Sequence, residues 1–392
     1  MTQSRPSADE IDAVSILDHL IRRAVSMGAS DIHVEPKRDG IRVRYRVDGV
    51  MAAQGSLPIT LAAPLVSRVK VLARMDMTER RLPQDGQLTL DLPGQPAVHL
   101  RASTFPTIHG ETLVLRVLLG QKIIPLEKLG LADRDLPRLQ RLTDRPSGLV
   151  LVCGPTGSGK TSTLYALLKE MNTAELSVVT LEDPIEVELP EITQGQTNAR
   201  QGFTFAAGLR AILRQDPDVI LVGEMRDPET AQIALQASLT GHLVLSTLHT
   251  SDVVETVSRL IDLGAESWIV ANALLAVVAQ RLVRSLCVEC AEPYTLEEDV
   301  ADEEGLVLVE EGTELKRAKG CPTCHQTGYR GRLGIFEVLE LDDATRDLIK
   351  ARAGKRELQE AVRNGGLVPL REAGLEKVKA GLTSLDEVLR VT

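Results

Sequence analysis

The stretch of sequence that decides the fold of this chain runs from Gly154 to Thr161 and reads GPTGSGKT. It fits the phosphate-binding pattern G-x-x-x-x-G-K-[ST] at every fixed position, between an apolar run at 148–153 and a helix-forming run at 162–168. Strand, glycine loop and helix is the order that this pattern requires. A chance glycine-rich turn is the alternative, but the filled pattern and its flanks favour a nucleoside triphosphate site.

Each part of this loop has a predicted task. The glycines let backbone N–H groups surround the phosphates, and the start of the following helix adds a favourable dipole. Lys160 would reach the β- and γ-phosphates, and the Thr161 hydroxyl would bind Mg²⁺. The predicted nucleotide-binding residues are Gly154, Pro155, Thr156, Gly157, Ser158, Gly159, Lys160, Thr161 and Ser162.

Short, largely apolar runs after the loop predict the buried strands of a parallel sheet. They lie at 177–181, 219–222 and 243–247, and such runs suit central strands that are covered on both faces. Ligands of these sheets lie beyond the carboxyl ends of the strands. The polar residues that we expect there are Glu182 and Asp183, Gly223 and Glu224, and His249.

Two acids and a histidine among these residues are candidates for catalysis. Glu224 ends an apolar run in the manner of a Walker B strand, whose carboxylate holds Mg²⁺ or positions the attacking water; a surface acid after a buried strand is the alternative. Glu182 is the best second carboxylate, whereas Glu186 and Glu188 suit a solvated face. His249 could hydrogen-bond the γ-phosphate, although a lone histidine is more often structural.

Residues 1–120 are predicted to form an N-terminal α+β domain. The stretch Ile41–Val47 alternates apolar and basic residues, which is typical of a half-buried strand, and Asp48-Gly49 suits a hairpin turn after it. The other predicted elements are helices at 9–27 and 61–73 and strands at 87–92, 98–103 and 112–118.

A linker at 121–130 is predicted to lead into the nucleotide-binding domain, residues 131–392. The last part of that domain, 340–392, has amphipathic helical periodicity. Its predicted helices lie at 343–351, 355–363 and 370–381.

Four of the five cysteines form two C-x-x-C pairs, Cys287 with Cys290 and Cys321 with Cys324. Four thiolates are what a tetrahedral structural Zn²⁺ needs, so a zinc module is predicted at 285–330. Disulfides are disfavoured in the reducing cytoplasm, and a single C-x-x-C would suffice for a redox pair. The fifth cysteine, Cys153, is predicted to be a small buried side chain.

Composition limits the classes of function. A net charge of −10 and an aromatic content of 2% argue against nucleic acid held by bulk charge or by stacking. The sequence contains no apolar run of the about 18 residues that cross a bilayer, and its N-terminus lacks the apolar core of a secretory signal. We therefore expect a cytoplasmic protein that meets a membrane only through partners.

Several of these segments together resemble a known family, the secretion ATPase superfamily of type II secretion and type IV pilus motors. Its Walker A, Asp, Walker B and His boxes are matched in order and spacing by GPTGSGKT, LEDPIE at 181–186, LRQDPDVILVGEMRD at 213–227 and TGHLVLSTLHT at 240–250. Its N-domain signatures are matched at 29–36, 81–86 and 103–111, and its return strand at 329–337.

This resemblance implies roles for individual catalytic residues. Glu224 looks like the Walker B glutamate that activates water, and Glu182 like the Asp-box acid near the metal. His249 looks like the His-box residue that faces the γ-phosphate, with His242 supporting it. The division of labour between the two glutamates stays open.

The resemblance also implies a fold and a second source of catalytic groups. The expected fold is a RecA-like P-loop ATPase domain preceded by an N-terminal PAS-like domain. Arg101 and Arg116 resemble the arginines that reach the nucleotide when the two domains close, where they would neutralise charge on the transferring phosphoryl group. For each arginine a solvated strand face is the alternative.

The implied function is that of a cytoplasmic ATPase, peripheral at the inner membrane, with ATP, Mg²⁺ and Zn²⁺ bound. A homo-hexamer is expected to pass its motion to an inner-membrane platform and to power a type II secretion system. Type IV pilus assembly is the alternative, and the four cysteines disfavour a retraction motor. A nucleic-acid motor and a non-catalytic nucleotide switch are hypotheses from other classes.

One departure from the family concerns the N-terminus. About ten residues precede the recognisable domain, whereas family members that assemble secretion machinery have a longer region that docks on an inner-membrane partner. Either the chain is truncated or it belongs to a subgroup with a different docking surface.

Overall fold

A computed structural model describes residues 12–91, 97–118, 123–171, 173–301, 305 and 307–392. They fall into two compact units, Met1–Gln121 and Lys122–Thr392. Parts of several sequence predictions lie outside the described residues: 1–11, 92–96 and 119–120 of the N-terminal domain, which include 9–11 of its first helix and Leu92 of a strand, 121–122 of the linker, residue 172 of the nucleotide-binding domain, and 302–304 and 306 of the zinc module.

Within its described residues, the first unit forms an antiparallel sheet with the strand order β3-β2-β1-β6-β5-β4 and two helices. All six elements predicted in this region are present in the described residues, and β1, β3 and the first residues of β4 are additions to them. The bounds are α1 (Ala13–Ser26), β1 (Ala29–Lys37), β2 (Gly40–Val47), β3 (Val50–Leu57), α2 (Ala62–Leu72), β4 (Gln84–Leu90), β5 (Val98–Thr107) and β6 (Gly110–Leu118).

Alternation along β2 separates the core of this unit from a charged face. Ile41, Val43 and Tyr45 are buried in one apolar cluster with residues of α1 and α2, while the arginines between them lie on the other face. The Tyr45 hydroxyl donates a hydrogen bond to the carbonyl oxygen of Leu20 at 2.8 Å. This bond fixes α1 on the sheet, because a buried hydroxyl without a partner would be costly.

The second unit holds the predicted parallel sheet. Its bounds are α3 (Leu136–Thr143), β7 (Gly148–Cys153), α4 (Lys160–Glu170), β8 (Val178–Glu182), β9 (Thr193–Gln196), α5 (Phe205–Ile212), β10 (Val219–Val222), α6 (Pro228–Leu239), β11 (Leu243–Leu248), α7 (Val253–Asp262), α8 (Ser267–Ala273), β12 (Leu274–Leu286), β13 (Glu292–Thr295), β14 (Val300–Ala301), β15 (Val307–Val309), β16 (Glu314–Arg317), β17 (Tyr329–Glu340), α9 (Asp343–Lys350), α10 (Lys355–Asn364), α11 (Leu370–Lys379) and α12 (Leu385–Val391).

The main sheet of this unit has the strand order β17-β12-β7-β11-β10-β8-β9. Neighbours from β12 to β9 are parallel, and β17 runs antiparallel to β12. Every residue of β7, β8, β10 and β11 is buried, because helices cover the sheet on both faces and form two apolar clusters with it. The sequence prediction of short, doubly covered parallel strands is confirmed.

Residues 287–328 leave the sheet between β12 and β17 and carry the four paired cysteines. After β17 the chain ends in α9, α10, α11 and α12. The three helices predicted in this part are present within two residues of their predicted ends. The sequence reasoning missed α12, a short helix whose first residue follows the N-cap Ser384.

A buried carboxylate holds α12 against β12. Glu387 is 1% exposed and accepts hydrogen bonds from the backbone N–H of Arg284 at 3.0 Å and from its guanidinium at 2.6 Å. Arg390 adds two more bonds, at 3.0 and 2.8 Å. Burial alone would raise the pKa of Glu387, but the hydrogen bonds from Arg390 and Arg284 outweigh it and lower the pKa to about 2.

We expect Glu387→Gln to destabilise the folded chain in a pH-dependent way. The pKa of Glu387 is lower in the folded state than the ordinary value of 4.5, so its contribution is complete above about pH 5.5 and is lost as the pH falls towards 2. Near pH 7 the variant should lose about 2 kcal/mol of unfolding free energy. Urea unfolding checks this, with the exposed Glu360→Gln as control; a loss that stays constant from pH 6 to pH 3 would contradict it.

Candidate active site and metal centre

The loop from Gly154 to Lys160 joins the end of β7 to the start of α4, as the sequence predicts. Gly154, Gly157 and Gly159 have φ angles of +147°, +81° and +92°. These values lie in the left-handed region, which glycine adopts without the steric cost that a Cβ atom brings. The pattern glycines are therefore needed for the path of the backbone itself.

Two of these glycines also pack against β12, which continues past the end of β7. A Cβ atom on Gly154 would lie 2.5 Å from the carbonyl oxygen of Gln280, and one on Gly159 would lie 2.7 Å from the Gln280 Nε2. Gln280 is 1% exposed and its Oε1 accepts a hydrogen bond from Thr163 of α4 at 2.7 Å. The loop is therefore packed between β12 and α4.

Lys160 and Ser158 present a cation and a hydroxyl at this loop. The Lys160 ammonium donates to the carbonyl oxygens of Gly154 at 2.8 Å and Pro155 at 3.1 Å, and it forms no ion pair with a described carboxylate. Burial lowers its pKa, partly opposed by the Glu224 charge. The Ser158 hydroxyl is buried without a hydrogen-bond partner among the described residues. A cation and a hydroxyl held in this way suit an anionic ligand.

Thr161 and Ser162, the next two residues, differ in accessibility. Thr161 is exposed in the first turn of α4, and Ser162 is half-buried. The Thr161 hydroxyl is therefore open to a ligand or a hydrated cation.

Glu224 and His249 lie together at the carboxyl edge of the sheet. Glu224 follows β10 after Gly223 and is 9% exposed; its Oε2 lies 3.2 Å from the His249 Nε2. Its Oε1 pairs with the Arg226 guanidinium at 2.5 Å. Parallel strands β10 and β11 are neighbours, so their ends bring the acid and the histidine into contact.

Glu182 is the last residue of β8, the strand beside β10, and both of its carboxylate oxygens accept hydrogen bonds from uncharged donors. It is 3% exposed; one oxygen accepts from the Tyr165 hydroxyl and the other from Thr180 at 2.6 Å and Gln194 at 3.1 Å. Asp183, the following residue, is exposed. A metal ligand role for Glu182 would require it to exchange one of these donors, whereas Asp183 is accessible as it stands.

The expectation that His242 supports His249 is wrong. His242 precedes β11, and its ring Nδ1 lies 3.0 Å from the carbonyl oxygen of Ala237 at the end of α6. His249 follows the same six-residue strand, so the two rings are about 20 Å apart along β11. Spacing along the sequence placed both histidines beside a strand but did not distinguish its two ends.

Arg101 and Arg116 lie in the first unit and face each other across β5 and β6. Both sit within their strands rather than at the ends. Arg116 donates to Asp31 at 3.0 Å and is 63% exposed, whereas the Arg101 Nε is buried without a partner among the described residues. Directly opposed like charges are unfavourable, and the Asp31 carboxylate offsets the charge of Arg116.

Sequence reasoning missed three residues that contact the site residues. Arg226 is bonded to Glu224, Gln280 contacts the P-loop glycines, and Arg281 donates to a backbone carbonyl just after His249. Arg226 could have been found from its place two residues after the Walker B acid. Gln280 and Arg281 have no local signal, since only the register of β12 against β7 brings them to the loop.

The four paired cysteines converge on one point. The sulfur atoms of Cys287, Cys290, Cys321 and Cys324 all lie within 4.8 Å of one another. The backbone N–H groups of Cys321 and Gly328 both point at the Cys324 sulfur at 3.2 Å, and such bonds stabilise a thiolate. This cluster can hold a metal ion. Cys153, by contrast, is buried at the end of β7, as predicted.

Comparison with known proteins decides the family. The family model described as Type II/IV secretion system protein matches residues 7–390. The chain belongs to this family. The resemblance predicted from the four boxes is confirmed.

Individual relatives agree with this assignment. The chain is 48% identical over 391 residues to the Type II secretion system ATPase E of Vibrio cholerae, covering 98% of this chain and 76% of the relative. It is 47% identical over 393 residues to the Type II secretion system protein HxcR of Pseudomonas aeruginosa, covering 100% and 80%.

Among solved structures, the pilus retraction motor PilT with bound ADP superposes with a TM-score of 0.65 at 26% identity, covering 96% of each chain. The predicted mixed α/β ATPase fold is confirmed at this level. Among the described residues, no helix has both the length and the apolarity to cross a membrane.

The P-loop packing leads to a test by glycine substitution. Gly159→Ala would force a Cβ atom against the buried Gln280 side chain, whereas Gly157→Ala would place one in open space at a similar φ, +81° against +92°. We expect Gly159→Ala to cost about 2 kcal/mol more unfolding free energy than its control, because the backbone strain is similar in both variants and the steric overlap occurs in only one. Thermal unfolding without nucleotide measures the difference; equal losses would show that β12 does not support the loop.

Proposed function

We propose that this chain is an ATPase motor that hydrolyses ATP to power protein export by a type II secretion system. The observation that carries the proposal is the convergence of the P-loop lysine with the Glu224–His249 pair at one edge of the sheet. Relatives at nearly half identity over almost the whole chain include a protein named Type II secretion system ATPase E.

The phosphates of ATP would be held by the P-loop of this chain. Lys160 would exchange its bonds to the loop carbonyls for phosphate oxygens, and the unpartnered Ser158 hydroxyl would donate to another. The exposed Thr161 hydroxyl would hold Mg²⁺, which when bound neutralises charge on the β- and γ-phosphates. The glycine φ angles leave the backbone free to turn N–H groups towards the ligand.

Glu224 would orient the attacking water and accept its proton. Its Oε2 already lies in hydrogen-bonding range of His249, which would instead donate to the γ-phosphate when nucleotide is bound. Glu182 is proposed as the second acid near the metal, acting after Tyr165, Thr180 or Gln194 releases one of its oxygens. Asp183 is the accessible competitor for that role.

Arginines of the first unit are proposed to complete the site. Arg101 and Arg116 would neutralise charge on the transferring phosphoryl group when the units close, an effect worth about 10³- to 10⁵-fold in related reactions. The exposure of Arg116 and the unpartnered Nε of Arg101 support this role. Activity would then depend on assembly, which we propose to be a homo-hexamer bound to an inner-membrane platform. The finer assignments, a RecA-like ATPase domain and a PAS-like first unit, belong to the same proposal.

Zinc is the proposed ion of the cysteine cluster. Four ligands at the usual Zn–S distance of about 2.3 Å in a tetrahedron lie about 3.8 Å apart. The sulfur atoms of Cys287 and Cys321 are 3.9 Å apart, those of Cys290 and Cys324 3.8 Å, and those of Cys321 and Cys324 3.7 Å. This agreement supports a closed structural site that cross-links residues 287–328.

Lys160→Ala and Glu224→Gln are expected to abolish ATP turnover for different reasons. The first removes the phosphate contact, so nucleotide affinity should fall; the second removes the proton acceptor, so affinity should persist while kcat falls by about 10²-fold or more. Steady-state phosphate release and binding of a fluorescent nucleotide separate the two. Glu360→Gln, an exposed acid on α10, is the control; near-normal turnover of either site variant would refute the assignment.

Purified chain is expected to contain one zinc ion, and Cys321→Ser should lose it together with thermal stability. Cys153→Ser is the matched control, because that thiol lies outside the cluster. Metal analysis by mass spectrometry after gel filtration provides the measurement. Zinc-free wild-type protein, or equal zinc in both variants, would rule the site out.

The role in secretion is tested in the host. A strain lacking the gene is complemented with the wild-type chain or with Lys160→Ala, and exported enzymes and surface pili are scored together. Loss of export with pili intact supports the proposal. Loss of pili with export intact would move the chain to type IV pilus assembly.

A further inference from the structure

The segment that follows His249 is held by side chains from two neighbouring strands. Arg281 of β12 donates from its Nη2 to the carbonyl oxygen of Ser251 at 2.8 Å. Glu337 of β17 accepts the backbone N–H of Val253, the first residue of α7, at 3.1 Å. A carbonyl and an N–H two residues apart are therefore fixed from outside the segment.

Strand register explains why these two side chains act together. Ala279 of β12 lies opposite Glu337, and Arg281 is two residues further along β12. Residues two apart on a strand, and residues directly opposite each other, share a face of the sheet. The side chains of Arg281 and Glu337 therefore lie on the same face of the sheet, where both bond to the segment that leads from His249 to α7.

The Arg281 guanidinium also lies beside the first glycine of the P-loop. Its Nη1 donates to the carbonyl oxygen of Gln280 at 3.0 Å and would lie 3.1 Å from a Cβ atom on Gly154. The same carbonyl of Gln280 is the atom closest to that Cβ position. One guanidinium therefore lies between the first glycine of the P-loop and the segment after His249.

Arg281 is half-buried, and its hydrogen bonds go to the backbone. Its Nη atoms bond to two backbone carbonyls, and it forms no ion pair with a carboxylate that the structure describes. Glu337, 6% exposed, uses one oxygen for Val253 and the other for the N–H of Leu370 at 3.1 Å. The hydrogen bonds of the arginine thus go to backbone carbonyls, while its charge also acts on the nearby Glu337 carboxylate.

We propose that Arg281 is a positioning residue for ATP hydrolysis, which links β12, the strand that packs against the P-loop, to the segment after His249 and so holds the His249 ring at the site. The proposal rests on the catalytic site proposed above. Fixing the backbone two residues after His249 limits the positions that its ring can take. A displacement of about 1 Å at a catalytic group can cost about 10²-fold in rate.

An arginine suits this task better than a lysine. Its planar guanidinium presents donors in a fixed fork, so one rigid group can satisfy two carbonyls in different segments at once. A lysine at the same position keeps the charge but not the fork. Arg281→Lys is therefore a conservative variant that separates charge from geometry.

The test measures kcat, KM and nucleotide-analogue affinity for full-length Arg281→Ala and Arg281→Lys. We expect Arg281→Ala to lower kcat about 10- to 100-fold with less than about threefold change in affinity, and Arg281→Lys to be intermediate. The control is Arg356→Ala, an arginine of α10 that is 92% exposed. Loss of affinity in parallel with kcat, or no loss of either, would overturn the proposal.

A double-mutant cycle with His249→Ala shows whether Arg281 acts through His249. If it does, Arg281→Ala should lower kcat by less than about twofold in the His249→Ala background; full additivity would overturn the proposal. If an Arg281→Ala or His249→Ala chain is misfolded or inactive, hydrogen exchange of Arg281→Lys decides. Faster exchange at 250–253 supports the proposal, and unchanged exchange there refutes it.

The proposed function and the proposed role of Arg281 can be refuted separately. A wild-type chain without ATPase activity in any assembled fraction would refute the proposed function. An active wild-type chain whose Arg281 variants behave like Arg356→Ala would leave that function standing and remove only the role of Arg281.

Discussion

The close approach of β12 to the P-loop is the constraint on which the second unit depends. Gly154 and Gly159 leave room for a strand that would otherwise collide with a side chain at either position. Because β12 can pass there, Gln280 reaches α4 on one side of the sheet and Arg281 reaches the chain after β11 on the other. The glycines thus shape the phosphate loop and also set the spacing of the elements around it.

Lys160 and Glu224 form hydrogen bonds and ion pairs within the site, and a ligand can replace these contacts. The Lys160 ammonium rests on carbonyl oxygens of its own loop, and Glu224 is shared between Arg226 and His249. Each of these bonds joins groups at or beyond the carboxyl ends of β7, β10 and β11, strands whose residues are all buried. Exchanging them for phosphate contacts needs side-chain movement but no change in the sheet, which agrees with catalytic groups held at strand ends.

Local patterns made the core of the site predictable, and long-range register did not. The P-loop, the acid after β10 and each cysteine pair are defined by residues that are close together in the sequence, so a local pattern is enough to identify them. His242 was misplaced because apolar runs reveal a strand but not which histidine lies at its carboxyl end. Arg281 could not be identified from the sequence, because it comes close to Gly154 and Ser251 only when β12 pairs with β7. Glu387 likewise gains its partner Arg284 only through folding.

The way in which the cysteine module joins the sheet has a consequence for how far the module can be shortened. Leu286 and Tyr329 are cross-strand partners, so the chain leaves and re-enters the sheet at neighbouring points. The β12–β17 ladder requires that these two ends meet, and loop closure becomes only slowly more costly as a loop lengthens. The segment between them is also part of the core, because Val309 and Leu315 are buried in the apolar cluster that contains residues of β12, β17 and α11. A shorter connection would therefore keep the ladder closed but would expose the part of this cluster that Val309 and Leu315 cover.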